Sequence, residues 1–164
     1  MLKERITRAC LLTGAFTLRS GETAHQYFDK YRLESDPVLL REIAEAMLPL
    51  LPEDFDGFAG LELGGVPIAT VLGQLTLKPV YFVRKAPKTY GTCQQIEGGD
   101  VAGQRLVVVE DMITSGGQVL ESTAQLREQG AIVEHAICVV LRKPEGQHHL
   151  GQAGLNLAFV LQDF

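Results

Sequence analysis

A chain of 164 residues, 46% hydrophobic and 21% charged, has room for one domain with a proper core and the make-up of a globular protein. Its net charge of −5 argues against a general nucleic-acid binder, which would carry a basic footprint, but leaves room for a small anion held by a local cluster of cations. No stretch approaches the ~18 apolar residues of a membrane span, and Cys10, Cys93 and Cys138, odd in number and without a CxxC pair, read as reduced thiols of a cytoplasmic protein.

The opening "MLKERITRACLLTGAF" has early positive charge and then apolar residues, but the run is too short for a signal peptide and is interrupted at Gly14 and Arg19. Leu2, Ile6, Ala9 and Cys10 fall instead on one side of a helix. A mixed segment follows, with a turn at Ser20-Gly21 and aromatic residues at Tyr27, Phe28 and Tyr31. In "SDPVLLREIAEAMLPLL", Ser35 or Asp36 can cap a helix, Pro37 suits its first turn, and Leu39, Leu40, Ile43, Met47 and Leu50 recur at helical spacing until Pro52.

From there the chain alternates. Residues 58–63 read as a short buried strand, Gly64-Gly65 as a tight connection, 67–77 as a helix and 79–84 as a strand. "RLVVVE" (105–110) is a β-branched run suited to a strand buried on both faces. The helix in "QVLESTAQLREQG" is capped by Gly130, and strands are expected at 132–142 and 155–161. Such alternation predicts an α/β fold with a mainly parallel sheet and helices on both faces, whose ligand sits beyond the carboxyl ends of the strands.

Two strand ends carry unusual chemistry. In "VVVEDMITSGGQ" a buried strand runs into Glu110 and Asp111, and Thr114, Ser115, Gly116 and Gly117 lead into a helix. Small residues, hydroxyls and the free N–H groups of a helix start favour a phosphate. No lysine is present to make a P-loop. The two acids could instead accept hydrogen bonds from sugar hydroxyls or act near a bound Mg2+. On its own, "TSGG" suits a plain helix cap equally well. The second oddity is "RKAPKTYGTCQQ", where Arg84, Lys85 and Lys88 surround a proline in a stretch with neither helical nor strand alternation.

The order of apolar run, two acids, Thr-Ser-Gly-Gly and helix closely resembles the phosphoribosyl-pyrophosphate (PRPP) signature of the type I phosphoribosyltransferases. "FTLRSGETAHQYFD", "LELGGVPIA", "FVRKAPKTYG" and "VVLRK" resemble successive segments of the orotate phosphoribosyltransferases, in that family's order, from about Phe16 to Arg142. The resemblance implies one type I phosphoribosyltransferase domain over 1–164, with an N-terminal helix and base-side hood in 1–35 and a mobile catalytic loop at 84–100. It further implies transfer of ribose 5-phosphate from PRPP to orotate, with release of pyrophosphate and with Mg2+ bound mainly through PRPP.

Carried over residue by residue, the resemblance puts Thr114, Ser115, Gly116 and Gly117 on the 5-phosphate and Glu110 and Asp111 at the ribose hydroxyls. Gly64 and Gly65 would cradle pyrophosphate, and Arg84, Lys85 and Lys88 would close over it. Arg19, Tyr27, Phe28 and Arg142 would surround orotate, with Arg142 on its carboxylate. In the family the loop reaches the neighbouring subunit's site, which implies a homodimer; neither nucleic acid nor membrane is expected as a partner. The chain departs from the family pattern in three places: Ala86-Pro87 follow the Arg-Lys pair where an acid is common, Tyr90 replaces a loop histidine, and Arg19 replaces a lysine. A tyrosine donates a hydrogen bond at pH 7 but does not titrate there as histidine does, so any general-acid help to pyrophosphate falls to Lys88 or a water. These departures leave open transfer to another base, or a non-catalytic PRPP-binding regulator.

Overall fold

The computed structural model of the protein describes residues 1–18 and 20–162. At the N-terminus, α1 (Leu2–Cys10) buries Ile6 and Cys10 and leads into a two-stranded antiparallel sheet of β1 (Leu11–Thr17) and β2 (Thr23–Phe28). The segment predicted as mixed is thus a hairpin. A short helix, α2 (Tyr31–Ser35), precedes α3 (Pro37–Met47), whose cap is Asp36: its carboxylate accepts from the Val38 and Leu39 N–H groups at 2.9 and 3.0 Å. The helical pattern continues to Leu50 only as a 3-10 turn, Leu48–Leu50, with Pro49 inside it.

The central sheet has six strands, β3 (Gly57–Leu61), β4 (Val80–Val83), β5 (Ile96–Glu97), β6 (Arg105–Ile113), β7 (Ile132–Leu141) and β8 (Asn156–Gln162), in the order β5-β4-β3-β6-β7-β8. All neighbours run parallel except β4 and β5. The crossovers are α4 (Gly65–Thr76), α5 (Gly117–Glu128) and α6 (Pro144–Gln152). On β6, Val107 and Val109 join a core with α1, α3 and α4, while Leu106 and Val108 join a second core with α5 and α6. The period of two explains why this strand is apolar throughout: both faces are covered.

The elements differ from the sequence pattern in several places. β6 extends to Ile113, because β7 continues the ladder with Met112 opposite Val140 and Ile113 opposite Leu141. The acid pair therefore lies within the strand. β3 stops at Leu61, leaving Glu62 and Leu63 to the turn. Helix α6 and strand β5 have no counterpart among the predicted elements. No helix among the described residues is long and apolar enough to cross a membrane.

Candidate active site

The chain leaves β3 through α4 towards β4 on one side, and leaves β6 through α5 towards β7 on the other. The strand order therefore reverses between β3 and β6, and a crevice opens at their carboxyl ends. The two turns bounding it are the glycine turn at 64–65 and the hydroxyl turn at 114–117.

At the first turn the backbones approach so closely that side chains do not fit. A Cβ on Gly64 would run into the Asp111 carboxylate, and one on Gly65 into the Val109 carbonyl. Glycine here is a packing requirement. At the second turn Thr114 and Ser115 are exposed, and Gly116 adopts a φ of +85° that side chains disfavour. Helix α5 starts at Gly117, so its unpaired N–H groups and the positive end of its dipole face the turn. Helix α6 supports this turn from outside: His149 Nδ1 lies 3.0 Å from the Ser115 carbonyl oxygen, and because a carbonyl only accepts, Nδ1 is the donor in this contact. Glu110 and the residues from Met112 through Val119 line a small depression of about 130 Å³.

Between the turns stands the acid pair. Glu110 is 8% and Asp111 1% exposed. Asp111 Oδ1 accepts from the Met112 N–H at 2.6 Å, and Glu110 Oε1 accepts from the Asp111 N–H at 3.0 Å. The cation that meets them comes from the hood. Lys30 Nζ lies 2.8 Å from Asp111 Oδ2 and 3.1 Å from Oδ1. Burial, and then the charge of Asp111, push the carboxyls of both Glu34 and Glu110 up to about 8. Lys30 was not among the sequence-predicted residues. It lies 81 residues from Asp111, and no local pattern signals the pair.

The hood also forms a cleft of about 620 Å³ that brings Tyr27 and Phe28 of β2 together with Arg142. Phe16 and Tyr27 pack with ring centroids 5.5 Å apart, and Tyr27 remains 46% exposed. Arg142 donates its backbone N–H to the Ile113 carbonyl at 2.8 Å, which ties it to the end of β6. Arg19 lies outside the described residues.

The basic segment is folded onto the sheet edge. The Lys85 N–H donates to Glu62 Oε2 at 2.8 Å, linking this segment to the glycine turn. Arg84 Nε and Lys88 Nζ both meet Glu97 Oε1, at 3.1 and 2.5 Å. The Lys88 ammonium, with Arg84 behind it, holds the Glu97 carboxyl below the usual range. Lys85 and Tyr90 are exposed. The structure thus gathers the glycine turn, the hydroxyl turn and the acid pair around one crevice, and places Arg84 and Lys88 on Glu97.

The phosphoribosyl transferase domain family matches residues 33–151. An orotate phosphoribosyltransferase of Nocardioides sp. (strain JS614) is 51% identical over 156 residues, covering 95% of this chain and 87% of that protein. Among solved structures, the orotate phosphoribosyltransferase of Mycobacterium tuberculosis H37Rv in complex with Fe(III) dicitrate superposes with a TM-score of 0.86 at 31% identity, covering 98% of this chain and 94% of that one. The same enzyme in complex with PRPP gives a TM-score of 0.82 at 29% identity, covering 98% of this chain and 93% of that one.

Proposed function

Because the chain belongs to the phosphoribosyl transferase family, whose orotate phosphoribosyltransferases are its matched relatives, we infer how its own residues carry out that chemistry. It transfers ribose 5-phosphate from PRPP to a ring nitrogen of orotate, giving orotidine 5'-phosphate and pyrophosphate in pyrimidine nucleotide synthesis. The observation that carries the assignment of parts is the contact of Gly64 with Asp111 across the reversal of strand order. It brings the glycine turn beside the two acids, with the hydroxyl turn following at the end of the acids' own strand, as this reading requires.

The 5-phosphate sits on Thr114, Ser115, Gly116 and Gly117, held by hydroxyls and by the start of α5. Glu110 and Asp111 take hydrogen bonds from the ribose hydroxyls. Gly64 and Gly65 offer backbone N–H groups to pyrophosphate. Orotate lies in the hood cleft against Tyr27 and Phe28, with its carboxylate on the planar fork of Arg142; Arg19 belongs to the same base side.

Breaking the bond from the ribose carbon to pyrophosphate moves the bonding electron pair onto the leaving oxygen, and the orotate nitrogen gives up its N–H proton to water or to the departing pyrophosphate and supplies the pair for the new bond. The sugar passes through an oxocarbenium-like state, and charge accumulates on pyrophosphate. Arg84, Lys85 and Lys88, brought over it in a closed site, stabilise that charge more in the transition state than in the ground state. Segment 84–100 is therefore the mobile lid of a single domain spanning 1–164, with Tyr90 as a hydrogen-bond donor within it. Lid opening frees the product.

Among the described residues no three His, Cys, Asp or Glu side chains are grouped to cage a metal. Glu110 and Asp111 are the acids that would serve a Mg2+ brought in with PRPP, and the ion would supply neutralisation of pyrophosphate charge. We also propose a homodimer in which each lid serves the neighbouring subunit's site. The setting is cytoplasmic, where Cys10, Cys93 and Cys138, all unpaired, stay reduced. The reading is tested by supplying PRPP and Mg2+ with a panel of bases and following pyrophosphate release. Release with orotate alone supports it; release only with a purine or another pyrimidine overturns it.

A further inference from the structure

Two of the three lid cations are held by one carboxylate that the reaction itself does not use. Strand β5 pairs antiparallel to β4 with Glu97 opposite Phe82 and Ile96 opposite Val83. Arg84 follows Phe82 by two residues and so projects from the same face, as a diagonal neighbour within reach of long side chains. Lys88 is brought back to that face by the turn of the segment, whose stem is closed by the Arg84 N–H donating to the Gln95 carbonyl at 2.9 Å and the Lys88 N–H to the Gln94 carbonyl at 3.3 Å. Both cations then share Glu97 Oε1, with Lys88 and Glu97 only 21% and 25% exposed in their side chains. Beside them a cleft of about 280 Å³ runs from Glu97 past Val66 to Glu62, which accepts the Lys85 N–H.

We infer that Glu97 is the anchor of the empty lid and competes with pyrophosphate for Lys88 and Arg84. This rests on the reading of residues 84–100 as the lid over pyrophosphate, with 85–95 as its moving part and β5, paired to β4, as the side fixed to the sheet. In the empty protein one carboxylate offsets two cations that would otherwise repel each other and Lys85. The group keeps a net positive charge and so still attracts a polyanion. When PRPP arrives, its pyrophosphate, with several negative charges against one, takes both cations from Glu97. When pyrophosphate leaves, Glu97 takes them back. The carboxylate weakens the closed state, and by doing so it speeds release of pyrophosphate. Glu97 is thus a positioning residue: it acts through Lys88 and Arg84 and touches neither substrate.

The test is Glu97→Gln, an isosteric change at the sheet edge, read by hydrogen exchange of residues 85–95 in the empty protein and by calorimetry with magnesium pyrophosphate. The variant should exchange faster in this segment and bind pyrophosphate about three- to ten-fold more tightly, the effect expected when two partly exposed ion pairs stop competing. KM for PRPP should fall by a similar factor without a rise in kcat. In a Lys88→Ala background the gain in pyrophosphate affinity should shrink, because one of the contested cations is gone. Unchanged exchange and affinity in Glu97→Gln, or weaker pyrophosphate binding, would overturn the inference. Hydrogen exchange and calorimetry with magnesium pyrophosphate do not use orotate, so failure of the parent protein to consume orotate would overturn the functional reading and leave this one to stand or fall on those two measurements.

Discussion

Lys30, at the foot of the hood, and Asp111, inside the central strand β6, form an ion pair at 2.8 Å although 81 residues separate them. The pair joins the N-terminal hood to the central sheet and sets a cation beside Glu34, Glu110 and Asp111. Replacing Lys30 with Met leaves these acids without that charge. Breaking a fully buried pair costs ~3–5 kcal/mol. Here the side chain of Lys30 is 36% exposed, so solvent screening reduces the expected loss to about 1–2 kcal/mol. Urea unfolding at pH 7.5 should show a lower midpoint at an unchanged m-value. An unchanged midpoint would mean the pair is energetically neutral.

The same cluster predicts a pH dependence. Glu34 carries its proton in the folded state up to about 8, whereas in the unfolded chain it loses that proton near 4.3. Between those values the folded state binds more protons, so this group's contribution to stability is full below about 4.5 and is lost as pH rises to about 8. Glu34→Gln should flatten the fall in stability between pH 5 and 8. Equal slopes in parent and variant, from unfolding curves at several pH values, would show that Glu34 titrates normally.

Much of this site is legible in the sequence. The acids at the end of an apolar run, followed by hydroxyls and glycines before a helix, form a local pattern, and local patterns survive in sequence. Gly64-Gly65 was readable as a turn, but not its reason: the contact with Asp111 and Val109 belongs to the packing of two strands. Lys30 and Glu97 gave no signal, because each is defined by a partner brought close by tertiary structure or by a two-residue edge strand. Helix α6 was hidden by Gly146 and Gly151 and by its mixed polarity, although Pro144 at its start and Glu145 in its first turn are ordinary helix-start signals.

Gly116 tests the phosphate turn. An alanine there would have to hold a φ of +85°, and its Cβ would meet Leu150 side-chain atoms at 3.1 and 3.2 Å. Gly116→Ala should cost roughly 1–3 kcal/mol of stability and raise KM for PRPP more than it changes kcat. Thermal unfolding and steady-state kinetics check both. A variant with parental KM would remove the turn from the donor site.

His149 supports that turn through the Ser115 carbonyl at 3.0 Å. Asn can place an N–H donor near the position of Nδ1, and Leu cannot. His149→Leu should raise KM for PRPP by about two- to ten-fold, the range for one neutral hydrogen bond of ~0.5–1.5 kcal/mol, and His149→Asn should recover most of it. Equal KM values in both variants would reduce the contact to incidental packing.

The central claim is that this chain consumes orotate by a reaction in which the lid cations stabilise departing pyrophosphate. The most direct measurement follows orotate absorbance after addition of PRPP and Mg2+, for the parent and for Lys88→Ala. The parent should consume orotate, and the variant should lose about 10²–10³ in kcat, as when one group that stabilises transition-state charge is removed. A parent that leaves orotate untouched, or a Lys88→Ala protein that turns over at the parental rate, would contradict the account.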